Sequence, residues 1–93
     1  MNRITMADLE NAVDKLNRAL GRPATPYTKD ETGKYVANIG NFHLSGSYGG
    51  WQLQEMASDG GGVRSHTSGY GTKREVYMQV CAMIRGAELQ KAV

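Results

Sequence analysis

The chain has 93 residues, 40% of them apolar and 22% charged, with a formal net charge of +2. That length predicts one domain, residues 1–93, and a globular class. No apolar run is long enough to cross a membrane, no charged start with an apolar stretch marks a secretory leader, and one cysteine excludes a disulfide framework and points to a reducing compartment.

The N-terminal segment reads as an amphipathic helix over about 6–20. Met6, Leu9, Val13, Leu16 and Leu20 recur at helical spacing and make one apolar stripe. Thr5 is suited to cap it, with Asp8 in the place of the usual capping-box glutamate and Ile4 and Leu9 at staple spacing. Gly21 supplies a left-handed C-cap, and Pro23 forbids continuation. Residues 21–33 then read as a connection stiffened by Pro23 and Pro26, with a turn signal at Asp30-Glu31-Thr32-Gly33.

The pattern next switches to period two. Tyr35, Ala37 and Ile39, then Phe42 and Leu44, then Trp51 and Leu53 alternate with other residues, which predicts strands at about 34–39, 42–47 and 51–56. Gly40-Asn41 suits a tight hairpin, and Ser47-Tyr48-Gly49-Gly50 a looser one. Residues 57–71 hold Gly60, Gly61, Gly62, Gly69 and Gly71 and read as a long Gly-rich loop. Thr72 and Glu75 form a capping box, and Val76, Tyr77, Val80, Cys81 and Ile84 make the stripe of a last helix, at about 73–88. The order helix, three strands, helix predicts an α+β two-layer sandwich: a three-stranded antiparallel meander covered on one face by two helices.

Catalytic constellations are weak. Cys81 lies on the apolar stripe of the last helix, where a thiol packs rather than reacts. His43 falls on the polar side of a strand, and His66 has no neighbour in sequence that completes a triad. The two histidines and the cysteine match no zinc spacing. Glu55 and Asp59 read as solvated carboxylates rather than an acid–base pair. Trp51, Phe42 and Tyr35 read as core, whereas Tyr48 and Tyr70 lie in Gly-rich turns, either as a binding patch or folded back onto the sheet.

Gly69-Tyr70-Gly71-Thr72-Lys73-Arg74 opens a helix, where free amides favour an anion. From residue 60 onward five Lys/Arg face two acids, so positive charge gathers in this half. The segment has neither the P-loop nor the dinucleotide-binding glycine pattern. The residues imply no cofactor, no metal and no enzyme.

Two resemblances follow. The α-β-β-β-α order, with Gly69-Tyr70-Gly71-Thr72-Lys73-Arg74-Glu75 opening the last helix, resembles the double-stranded RNA-binding domain. That likeness implies phosphate contacts from Lys73 and Arg74, with His43 or the Gly46–Gly50 turn near a groove. The chain departs from the family at Glu75-Val76-Tyr77-Met78 and in the 57–71 loop. Ile4-Thr5-Met6 through Leu16-Asn17-Arg18, Ala37-Asn38-Ile39-Gly40-Asn41-Phe42-His43-Leu44-Ser45-Gly46, Tyr48-Gly49-Gly50, Gly60-Gly61-Gly62-Val63 and Lys73-Arg74-Glu75-Val76-Tyr77 are similar to small accessory proteins of tailed bacteriophages. This second likeness covers nearly the whole chain. It implies a protein of the infected bacterial cytoplasm that binds a host protein and modulates or blocks it, in host takeover or counter-defence. The candidate contact residues are Arg64, His66, Tyr70, Lys73, Arg74 and Tyr48. A nucleic-acid-binding module on the same patch is the alternative, and an assembly role through Gly-rich hairpins a third; the oligomeric state stays open.

Overall fold

The computed structural model describes residues 3–47, 49–67 and 69–91. Helix α1 spans Met6–Ala19 and helix α2 Lys73–Lys91. Between them lie β1 (Tyr27–Lys29), β2 (Tyr35–Ala37), β3 (Phe42–Ser47), β4 (Gly50–Met56) and β5 (Val63–Ser65). The fold is α+β with a helix at each end, as expected, and it carries two antiparallel sheets.

Both helix starts follow their sequence signals. The Thr5 hydroxyl accepts from the Asp8 amide at 3.1 Å, and the Asp8 carboxylate accepts from the Thr5 amide at 2.9 Å. The same reciprocal box joins Thr72 and Glu75 at 2.9 and 3.1 Å. Helix α1 ends in a Schellman turn: Gly21 takes φ 66°, its amide donates to Arg18 O at 3.3 Å, and the Arg22 amide donates to Asn17 O at 2.8 Å.

The strand pairing differs from the expectation. The 35–37 strand does not join the 42–47 strand through a hairpin at Gly40-Asn41. It pairs with Tyr27–Lys29, inside the segment read as a connection, in the register Tyr27 to Ala37 and Lys29 to Tyr35. The Asp30 turn closes this hairpin: Asp30 Oδ1 accepts from the Thr32 amide, the Thr32 hydroxyl and the Lys34 amide at 2.7–2.9 Å. Gly40 does take a positive φ, 95°, but for another purpose. The Asn41 amide donates to Asn38 O, the Gly40 amide to Met56 O, and the Met56 amide to Asn41 O. That is a turn running into a glycine bulge, which starts β3 beside β4 rather than reversing β2 onto it.

The three-stranded sheet is therefore β3-β4-β5. Its third strand comes from the Gly-rich 57–71 segment, where Val63, Arg64 and Ser65 pair with Met56, Glu55 and Gln54. Beyond it, Gly71 and Trp51 exchange both backbone hydrogen bonds at 2.8 Å, so the segment follows β4 almost to its start. One sheet face presents Phe42, Leu44 and Gly46 opposite Glu55, Leu53 and Trp51. Both helices pack on that face, around a core of Leu9, Val13, Leu16, Phe42, Leu53, Val76, Val80 and Ile84. At roughly 25 cal/mol per Å² of apolar surface, a buried leucine contributes about 1.5–3 kcal/mol. Asn17, also buried, donates to Phe42 O at 3.0 Å and accepts from its amide at 2.8 Å, satisfying the outward groups of this edge-strand residue.

The β1–β2 hairpin stands apart from this layer. Ala37 is buried, whereas Tyr27, Tyr35 and Val36 are exposed, with Tyr35 at 69%. The expectation that Tyr35 packs in the core does not hold, because its strand belongs to the smaller sheet. The radius of gyration is 14.0 Å, against about 12 Å for a compact chain of this length. Among the described residues no helix is long and apolar enough to cross a membrane.

Candidate functional site

Glu55 occupies an inward register position on β4, beside Leu53, and its side chain is 14% exposed. A carboxylate there needs partners. Three basic side chains surround it: Arg22 Nη1 lies 2.9 Å from Oε2, His66 Nε2 2.7 Å from Oε1, and Arg64 Nη1 4.0 Å from Oε1. Each is delivered by a different local feature. The Schellman turn places Arg22, which also donates to Gly40 O at 3.2 Å and lies over the Phe42 ring. Strand β5 places Arg64 directly across from Glu55. His66 continues β5: its amide donates to Leu53 O at 2.9 Å, and its carbonyl accepts from Gln79 Nε2 at 2.6 Å. The His66 ring also tilts against Phe42, with centroids 5.4 Å apart.

Burial raises the Glu55 pKa, but hydrogen bonds from His66 and Arg22 and the charge of both outweigh it, so the carboxyl sits below its ordinary value of 4.5. An ionised carboxylate only accepts, so His66 Nε2 carries a proton. The reading of Glu55 as a solvated carboxylate is thus corrected. The cluster ties the end of α1, strands β4 and β5 and, through Gln79, helix α2. Chemically it is an ion-pair latch. Cys81 stands elsewhere, beside Tyr77, whose hydroxyl pKa is pushed up by its interaction with the thiol. His43 donates from Nδ1 to Asn41 Oδ1 at 3.2 Å. Among the described residues no three of His, Cys, Asp and Glu converge to hold a metal ion.

A second cluster lies at the start of α2. Arg3, Ile4, Gly49, Trp51, Lys73 and Arg74 line a shallow depression of about 570 Å³. The Trp51 ring crosses over Gly46, where a Cβ would come within 2.8 Å of the indole. The Glu75 carboxylate, however, already caps the Thr72 amide and puts a negative charge at this helix end.

The predicted contact residues therefore divide. Arg64 and His66 gather around Glu55; Lys73 and Arg74 gather with Arg3 and Trp51. Tyr70 lies against Gly50, at the edge of β4. Tyr48 lies outside the described residues. Sequence reasoning missed Arg22, Glu55 and Arg3. A charged residue continuing the inward alternation of Trp51 and Leu53 was the signal for Glu55. No family model, curated protein or solved structure matches the chain.

Proposed function

We propose that this chain is a small non-enzymatic binding module that seats on a protein partner and modulates it. The phage resemblance implies a host protein as that partner and the infected bacterial cytoplasm as the place. The observation that carries the reading is the apolar surface of the β1–β2 hairpin. Tyr35, Val36 and Ile39 are exposed there, with Lys29 Nζ 5.8 Å from the centre of the Tyr35 ring. The surface extends toward β5, because the Tyr27 hydroxyl reaches to within 2.8 Å of a Cβ position on Gly61, in the turn leading to the exposed Val63 and Arg64. Tyrosine and arginine bracketing aliphatic side chains is the composition of a protein-binding hot spot.

The test is capture of a partner from bacterial lysate after nuclease treatment, with the full chain and with a Tyr35→Ser, Ile39→Ser variant. Retention by the first and loss by the second, with unchanged circular dichroism, supports the reading. Equal retention by both counts against it.

A nucleic-acid reading is favoured by one separate observation, the indole of Trp51 beside Arg3 and Lys73, since a ring next to cations suits stacked bases. It requires binding that weakens steeply with salt and a shallower slope in Lys73→Ala. Absence of binding to duplex or single strands at low salt eliminates it.

A further inference from the structure

The two helices differ in how fully the fold uses them. Helix α1 buries Leu9, Ala12, Val13 and Leu16 on one stripe, half-buries Met6 and Ala19, and leaves Ala7 as its exposed apolar residue. Helix α2 buries Val76, Val80, Ile84 and Ala87, yet carries more apolar side chains on a different face. Met78 and Leu89 are 62% and 60% exposed, and Ala82 lies between them at helical spacing. A helix apolar on more of its circumference than its own domain covers is a helix built to be covered again.

The uncovered side is concave. A groove of about 690 Å³ runs between the helices, lined by Asp8, Ala12 and Lys15 of α1 and Met78, Ala82 and Arg85 of α2. The helices run parallel: Arg3 and Ile4 share a depression with Lys73 and Arg74, and Arg18 to Gly21 share another with Ala87 and Gln90. Asp8 therefore stands at one end of the groove, near Tyr77. Lys15, Arg85 and Glu88 stand toward the other. Among the lining residues the first end carries one net negative charge and the second one net positive charge, with Asn11, Ala12, Cys81 and Ala82 between them.

We infer that this groove is the interface of a homodimer, its occupant the same face of a second copy. A two-fold axis near Ala82 turns the groove end for end, so that Asp8 of each copy faces Lys15 and Arg85 of the other. Ala12 and Ala82 let the helices approach, and Met78 of each copy fills the partner's groove. The inference does not rest on the hairpin reading.

The test is sedimentation equilibrium of the full chain over a wide concentration series, with reductant present. The mass is expected to rise from 10.1 kDa toward twice that value. Ala82→Arg, at an exposed position, should stay monomeric with an unchanged circular dichroism spectrum. Arg85→Glu should weaken association at least about tenfold, because it sets like charges opposite each other. A wild-type chain monomeric at every concentration overturns the inference. So does a dimer that tolerates Ala82→Arg, one that disappears on reduction, or one abolished by Tyr35→Ser instead.

Discussion

The layer of α1, α2 and β3-β4-β5 and the β1–β2 hairpin are built on opposite terms. In the layer, Leu9, Leu16, Leu53 and Val80 are wholly buried, and β4 is paired along both edges. In the hairpin, both faces meet solvent and Ala37 is the buried residue. A two-stranded ribbon is marginal alone. This one is held at its base, where the Asn38 amide donates to Pro26 O and Asn41 Nδ2 to Pro23 O, both at 2.8 Å. The contrast teaches that tight packing and exposed apolar surface sit in different parts of the chain: the layer buries its large side chains, and the hairpin leaves Tyr27, Tyr35 and Val36 in solvent.

The comparison breaks first in the core. Leu53→Ala should cost about 2–5 kcal/mol in urea unfolding, a large share of the total stability of a domain this small. Asn17→Ala should cost about 1–3 kcal/mol, because it strands the Phe42 amide and carbonyl in a buried place. The Glu55 latch gives a pH-dependent version. Its folded pKa is depressed, so its contribution is complete above the ordinary value of 4.5 and is lost as pH falls through the lower folded value. Unfolding free energies measured from neutral pH down to acid should therefore decline below that point, and less steeply in Glu55→Gln. Gly40→Ala should cost about 1–2 kcal/mol, since φ of 95° disfavours a Cβ and the Arg22 guanidinium lies 2.9 Å from where it would stand. Tyr35→Ala should stay within about 0.5 kcal/mol of the parent. A large loss there would mean the hairpin supports the layer after all. Hydrogen exchange gives the finest version: amides of Tyr35 and Val36 should exchange well before those of Leu53 and Gln54.

The sequence made the helices legible because each end carried its own chemistry: Thr5 with Asp8, Gly21 with Pro23, Thr72 with Glu75. Strands β3 and β4 were legible through their alternation. The partner strands were not. Tyr27–Lys29 and Val63–Ser65 are three residues each, too short for alternation to speak, and both lie among turn formers. Gly40 announced a positive φ, but a bulge and a hairpin ask for the same residue. The ion-pair cluster was hidden for a related reason. Arg22, Glu55, Arg64 and His66 share no local motif, and a register set by β5 is what brings them together.

The contact between Trp51 and Gly46 has an optical consequence. The chain has one tryptophan, and its ring is half-buried across a glycine, at the rim of the depression formed by Arg3 and Lys73. Emission from this residue therefore originates at a single known point, where the sheet meets the start of α2. A ligand entering that depression would alter its wavelength or intensity. The protein thus carries an intrinsic, label-free reporter of whether that depression is occupied.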